Sequence, residues 1–153
     1  MSARTETTRR RLLALGIGAP LGLIVARTAG ATPENMQAAI DAFTEGTVPE
    51  EARVALDIPL LVENGNTVPM TVSVESPMTA DDHVTTIAVF NEANPLPEVA
   101  VFHLTPSLGR AEVQTRIRLS DTQTITAIAR TSDGRLWSAN TSVIVTAPAC
   151  AEE

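Results

Sequence analysis

Hydrophobic and polar positions along the chain follow two different periods, and the first is helical. The apolar residues at helical spacing are Met36, Ala39, Ile40 and Phe43, which fall at i, i+3, i+4 and i+7. Thr32 is a suitable N-cap, Pro33 a suitable first helical residue and Gly46 a suitable stop. The pattern predicts a short helix that packs its apolar face onto the rest of the domain.

From Ala52 onward the apolar period is two, which is typical of strands with one face in a core. Turn-forming residues divide this region, for example Ser132-Asp133-Gly134. The predicted strands cover residues 54–60, 68–74, 84–90, 99–105, 113–119, 124–130 and 136–146, with an interruption expected near Asn140. In this register Ile117 faces the core and Arg116 faces solvent. About seven short strands separated by turns predict an all-β antiparallel sandwich.

Residues 1–31 are interpreted as an export signal that precedes the domain at residues 32–146. Arg9 and Arg10 form the pair of a twin-arginine pattern, with Arg11 in the variable position. The apolar run from Leu12 to Ala26 is shorter than the about 20 apolar residues of a membrane span. Ala29-Gly30-Ala31 is an A-x-A cleavage signature.

This signal predicts a periplasmic location. Twin-arginine export carries folded proteins, which include cofactor proteins and proteins that assemble with a partner before export. The sequence shows no cofactor motif, so a partner that folds with the chain is the simpler explanation. The alternative for this segment is an uncut, membrane-anchored N-terminus.

The charge of the chain is divided between its two parts. Residues 1–31 hold five Arg and one Glu, a net charge of +4, while the remainder holds six Arg and seventeen Asp or Glu, a net charge of −11, which together make −7. An acidic domain argues against nucleic acid and anionic membrane surfaces as partners. The single cysteine excludes an intrachain disulfide and a cysteine-based zinc site.

No metal or catalytic motif stands out in the domain. His83 and His103, taken with Met70 and Met78, raise the idea of a copper site. However, Met70 lies on the apolar face of its strand and His103 lies inside an alternating run, so their spacing does not assemble a site. No Ser-His-Asp order, phosphate-binding glycine loop or spaced carboxylate pair is present. The residues favour a binding or carrier module over an enzyme.

The last predicted strand leads to the single cysteine. Pro148 cannot donate to a sheet ladder, so the strand should stop at about Thr146. Residues 147–153, here called the C-terminal arm, then contain Cys150 among Ala147, Pro148, Ala149 and Ala151. The residues from Ala147 to Cys150 can reach at most roughly 14 Å from the sheet. The thiol is either idle or a reactive handle, because an unpaired cysteine in an exported protein favours intermolecular pairing or free reactivity.

Several segments in a particular order give the sequence a wider resemblance. They are the twin-arginine signal, Val62-Glu63-Asn64-Gly65, residues 76–84, Phe90, residues 94–106 and 111–119, Ser132-Asp133-Gly134, Trp137, and Val145-Thr146 with a cysteine four residues on. Each segment alone is weak, but their order and spacing together are specific. The chain resembles the SoxY family, the sulfur carriers of the periplasmic thiosulfate-oxidising system.

The resemblance implies an immunoglobulin-like sandwich that is not itself an enzyme. Cys150 stands where the family has the cysteine of a terminal Gly-Gly-Cys-Gly-Gly, so the resemblance makes it the residue that covalently holds thiosulfate-derived sulfur. The implied stable partner is a SoxZ-like subunit, in a heterodimer or heterotetramer. Transient contacts are implied with a haem cytochrome that loads the thiol, a hydrolase that releases sulfate, and a sulfur dehydrogenase.

The arm departs from the family pattern around the cysteine. Alanine and proline replace the glycines, which makes the arm stiffer and wider. Glu152 and Glu153 place negative charge near the sulfur, which should raise the pKa of the Cys150 thiol. Two alternatives follow: a diverged carrier for another sulfur donor, and an exported sandwich with a structural or adhesive role.

Overall fold

The architecture is known from a computed structural model that describes residues 30–149. Within that range the elements are α1 (Pro33–Thr44), β1 (Val54–Asp57), β2 (Leu61–Val62), β3 (Val68–Val74), β4 (Val84–Asn91), β5 (Glu98–His103), β6 (Ala111–Ile117), β7 (Gln123–Thr131) and β8 (Leu136–Val145). No helix in this part of the chain is long and apolar enough to span a membrane.

The strands form two sheets, which confirms the predicted sandwich. One sheet has the order β1-β3-β6 and the other has the order β2-β8-β7-β4-β5. The core between them contains fully buried residues from both sheets, among them Met70, Val72, Ile87, Val89, Ile125 and Val143. Alternating strands bury one face each, so the apolar period of two places these side chains in a common interior.

The predicted helix is present and covers the five-stranded sheet. Its N-cap is Thr32, whose Oγ1 accepts a hydrogen bond from the Asn35 N–H at 3.2 Å. Met36 and Ile40 are buried against a second apolar cluster, formed by Ala88, Phe90, Ile128 and Leu136. The ring of Phe43 meets the ring of Phe90 edge-on, with 5.9 Å between centroids. The apolar face predicted from the helical spacing is therefore the face by which α1 packs onto the sandwich.

The first predicted strand, residues 54–60, is too long: β1 ends at Asp57, and the chain then passes to β2, Leu61–Val62, in the other sheet. β1 pairs with β3, whereas β2 pairs in parallel with β8 through Leu61 and Ile144. Pro59 lies between them and has no N–H to continue a ladder, so the chain crosses from one sheet to the other there. The sandwich consequently has eight strands in its described residues and one parallel pair among antiparallel ones.

The predicted interruption at Asn140 is wrong. β8 pairs with β7 without a break, and Asn140 stands opposite Thr126 in the ladder. Its side chain points to solvent, where the amide donates to Glu51 Oε1 at 3.0 Å. A polar residue on the exposed face leaves the backbone pairing intact, because successive side chains point to opposite faces of a strand.

Stability measurements can check the register of β6. Ile117 is 7% exposed and stands opposite Val68, whereas Arg116 is exposed. Ile117→Ala should lower the free energy of unfolding by about 2–5 kcal/mol because it empties a buried site. Arg116→Ala should change it by no more than about 0.5 kcal/mol. Urea titration of both variants is the measurement, and equal losses would contradict the register.

Candidate functional site

The segment that leads toward Cys150 leaves the sandwich at the end of β8. The structure describes the first three residues of the C-terminal arm, Ala147, Pro148 and Ala149. The other predicted functional residues lie outside the described part of the chain: Arg9, Arg10, Cys150 and Ala151. The site can therefore be built up from the residues that carry the cysteine.

Main-chain hydrogen bonds tie the start of the arm to the body of the domain. The Gly65 N–H donates to the Ala147 carbonyl at 2.8 Å, and the Ala149 N–H donates to the Leu119 carbonyl at 2.9 Å. The Leu119 N–H in turn donates to the Gly65 carbonyl at 2.8 Å. These four residues are here called the Gly65 junction. A tether that is free from Ala147 onward, as the sequence predicts, is therefore wrong for Ala147 and Ala149.

The last described residue of the arm, Ala149, is thus held to the domain. Ala149 is 8% exposed, whereas Pro148 between the two bonded alanines is exposed. Cys150 is the next residue, and consecutive Cα atoms are about 3.8 Å apart. The predicted reach concerns Cys150, which lies outside the described residues, but the two alanines before it are held to the domain by main-chain hydrogen bonds.

The end of β8 is held just before the junction as well. The Thr146 N–H and Oγ1 both donate to the Val62 carbonyl, at 2.9 Å and 3.2 Å. The Val145 N–H donates to Thr122 Oγ1 at 3.0 Å. The strand that carries the arm is thus fastened to β2 and to the β6–β7 connection.

Asn94 supports the β6–β7 connection from the other side. Its Nδ2 donates to the Arg118 carbonyl at 2.8 Å, and its Oδ1 accepts from the Ser120 N–H and from Gln123 Nε2, both at 3.1 Å. Its carbonyl accepts from the Ala31 N–H at 2.8 Å. Because Arg118 directly precedes Leu119, Asn94 helps to hold the segment after β6 whose Leu119 carbonyl accepts the hydrogen bond from Ala149.

Sequence reasoning misses Asn94 and Leu119 as contributors to the site. Both residues lie in segments that carry the family resemblance, but no feature of the sequence points to their hydrogen bonds. The fold buries the nearby Asn91 completely. Buried amides are usually fully hydrogen-bonded, so only the structure reveals the network around Asn94.

Three of the four residues considered for copper have separate surroundings in the structure, and the fourth, His83, donates its backbone N–H to Ser132 Oγ at 3.2 Å. Met70 is 1% exposed in the core, and Met78 Sδ accepts a hydrogen bond from the Val84 N–H at 3.4 Å. His103 is exposed beside Thr86, with 3.5 Å between Nδ1 and Oγ1. Over residues 30–149, no group of three or more His, Cys, Asp or Glu residues could hold a metal ion.

The remaining motif residues lie at the opposite end of β8 from the arm. Two guanidinium groups lie over the ring of Trp137, with the Cζ of Arg53 4.4 Å and that of Arg135 4.3 Å from the ring centroid. In the preceding turn, hydrogen bonds from Thr131 Oγ1 and the Arg135 N–H lower the pKa of Asp133. These contacts hold the β7–β8 hairpin together and do not reach the arm.

Comparison with known proteins identifies the family. The model of the sulfur oxidation protein SoxY family matches residues 40–150. Among solved structures, the sulfur carrier protein SoxY from Chlorobium limicola f thiosulfatophilum is 31% identical, with a TM-score of 0.60 and coverage of 74% of this chain and 97% of that chain. A search of curated proteins finds no significant match.

Superoxide reductases share the fold. The enzyme (neelaredoxin) from Ignicoccus hospitalis is 18% identical, with a TM-score of 0.55 and coverage of 75% and 94% of the two chains. A putative superoxide reductase from Thermotoga maritima is 22% identical, with a TM-score of 0.53 and coverage of 67% and 89%. At these identities the likeness concerns architecture alone. The family match and the 31% identical structure together show that the chain belongs to the SoxY family.

Proposed function

We propose that the protein is a non-catalytic sulfur carrier that holds sulfur covalently on Cys150. The observation that carries this proposal is the position of the chain's single cysteine, one residue beyond the hydrogen-bonded junction. The family match extends to residue 150, and the 31% identical SoxY is described as a sulfur carrier protein. A cysteine that directly follows a residue held to a stable domain is suited to presenting a covalent cargo.

The proposed cycle begins when the thiol is joined to thiosulfate. Cys–SH and thiosulfate give Cys–S–S–SO₃⁻, one proton and two electrons, and a haem cytochrome accepts the electrons. Water then cleaves the bond between the outer sulfur and the sulfonate group, which gives Cys–S–SH and hydrogen sulfate through a hydrolase. A sulfur dehydrogenase then oxidises the outer sulfur: Cys–S–SH and three water molecules give Cys–S–SO₃⁻, seven protons and six electrons, and the dehydrogenase accepts the electrons. The chain supplies only the sulfur atom of Cys150 and its placement.

A SoxZ-like subunit is the proposed stable partner, in a heterodimer or heterotetramer. An apolar surface on this chain supports a protein partner. Leu60, Leu61 and Ile144 are 66%, 56% and 55% exposed, and they lie together where β2 pairs with β8. β2 is an edge strand, and exposed apolar edges are characteristic of protein contacts.

A diverged carrier for another donor is the second candidate, and the composition of the arm favours it. Alanine and proline stand beside Cys150 in place of glycine, and two glutamates follow. Intact mass of the protein purified from cells grown on thiosulfate tests both candidates. A thiosulfonate or persulfide mass supports the first, an adduct of different composition supports the second, and unmodified protein contradicts both.

The proposed periplasmic location is tested through the twin-arginine pair. Replacing Arg9 and Arg10 together with lysine should leave the precursor in the cytoplasm, with any partner that lacks its own signal. Arg11→Lys is the matched control and should be exported normally because Arg11 occupies the variable position. Cell fractionation is the measurement, and normal periplasmic amounts of the double variant would contradict twin-arginine export.

A further inference from the structure

Gly65 lies so close to three backbone atoms that there is no space for a side chain at this position. A Cβ added to Gly65 would stand 2.3 Å from the Leu119 oxygen, 2.7 Å from the Ala149 nitrogen and 3.1 Å from the Ala147 oxygen. Its φ lies outside the left-handed region, in contrast to Gly46, Gly109 and Gly134. All three neighbouring atoms belong to the backbone, which cannot move aside as a flexible side chain can. Only glycine therefore permits this approach.

Three distant parts of the chain meet at Gly65. They are the loop after β2, the segment after β6 and the arm after β8. Within the first, Asn64 Oδ1 accepts from the Asn66 N–H at 3.1 Å, an Asx turn that shapes the loop presenting Gly65. The segment Val62-Glu63-Asn64-Gly65, one of the matching motifs in the sequence, thus has a place in the structure.

The junction bonds the arm through its main chain alone. The Ala147 carbonyl and the Ala149 N–H are the two groups used, and neither depends on the side chain. The alanines that this chain has at positions 147 and 149 can therefore form the junction as well as glycines could. Proline at position 148 is also compatible, because the bonded groups belong to its two neighbours.

We infer that Gly65 is a positioning residue for the Cys150 thiol. Its close approach lets Ala147 and Ala149 bond to the body of the carrier, so the residue directly before the cysteine has a defined position on the surface at which an enzyme would dock. The inference rests on the proposed carrier function and adds to it the residue that holds the first part of the arm on the domain. Small errors in placement matter, because a displacement of about 1 Å at a reacting centre can cost about 100-fold in rate.

Gly65→Ala tests the inference. The added Cβ should displace Ala149 from Leu119, so the Ala149 amide should exchange with deuterium at least about tenfold faster. In cells grown on thiosulfate, the rate at which Cys150 acquires sulfur should fall roughly 10- to 100-fold, measured by intact mass over time. Alkylation of the purified variant by iodoacetamide should stay within about twofold of wild type, because a small reagent needs no positioning.

Two further variants separate positioning from folding. Gly46→Ala adds the same atom where no heavy atom lies within 4 Å, but its φ of 77° strains an alanine, so it is a control for a mildly destabilised fold and should still load sulfur normally. Ala149→Pro leaves Gly65 unchanged but replaces the N–H that bonds Leu119 with a ring carbon, so it breaks the same junction from the side of the arm and should reproduce the slow loading. Its thermal melting should match wild type, since Ala149 follows the last strand.

The outcomes distinguish the positioning role of Gly65 from the carrier function of Cys150. Wild-type loading rates in both Gly65→Ala and Ala149→Pro would overturn the positioning role and leave the carrier function standing. Wild-type protein without any sulfur adduct would overturn the carrier function and the positioning role with it. Slow loading accompanied by an equally slow iodoacetamide reaction would also contradict positioning, because it would indicate a thiol that is simply less accessible.

Discussion

Cys150→Ser is expected to abolish every covalent sulfur adduct on the protein while leaving its fold unchanged. The chain contains no other cysteine, so no second thiol can accept sulfur. Both apolar clusters are formed by residues upstream of position 150, and the free energy of unfolding should therefore change by no more than about 0.5 kcal/mol. Intact mass after growth on thiosulfate and urea titration are the two measurements.

The same variant provides a test in cells. Cells that depend on this carrier should lose thiosulfate oxidation with Cys150→Ser, whereas Ser142→Ala, a change at an exposed position of β8, should retain it. Purified wild type kept without a donor should form disulfide-linked dimers on a non-reducing gel, and the serine variant should not. Unimpaired thiosulfate oxidation by Cys150→Ser would refute the carrier function and favour a structural role.

Phe90→Ala is expected to cause a large loss of stability, about 3–5 kcal/mol in the free energy of unfolding. Phe90 has no exposed surface and lies where α1 packs onto the five-stranded sheet. Its removal leaves a cavity and also ends the edge-on contact with Phe43. Small domains are stable by only about 5–15 kcal/mol, so the variant should unfold at a much lower urea concentration.

An exposed apolar residue serves as the control for Phe90. Leu108 is 58% exposed after β5, and Leu108→Ala should change the free energy of unfolding by no more than about 0.5 kcal/mol. Comparable losses in the two variants would mean that α1 does not pack on this face. Together with Cys150→Ser, these variants separate residues that stabilise the fold from the residue that carries the chemistry.

Elements that depend on local pattern were predictable. The helical spacing of Met36, Ile40 and Phe43 requires only neighbours along the chain, and so does the alternation that places Ile117 inside. The bounds shifted by a residue or two: β5 begins at Glu98 and β8 ends at Val145. Local periodicity determines which face of an element is apolar, and burial of that face determines much of the rest.

The sequence misleads where the partner of a segment is remote. Residues 54–60 alternate as one strand would, but the alternation continues through the crossing at Pro59 from one sheet to the other. Asn140 resembles an interruption because the sequence shows that the residue is polar but does not show that its side chain faces solvent. In the first case the deciding contact is the pairing of β2 with β8, far along the chain, and in the second it is the unbroken pairing with the preceding strand, β7.

By itself, the sequence determined the helix, most of the strands, the single thiol and the resemblance to SoxY. Only the tertiary structure decided how the thiol is carried, because Gly65, Leu119 and Ala149 are far apart in the chain and meet through backbone groups. Every residue except proline has the same backbone N–H and carbonyl, so hydrogen bonds between these groups cannot be recognised from the types of residue in the sequence. The one visible trace is a glycine, and it looks like an ordinary turn residue until the fold shows that no Cβ fits beside it.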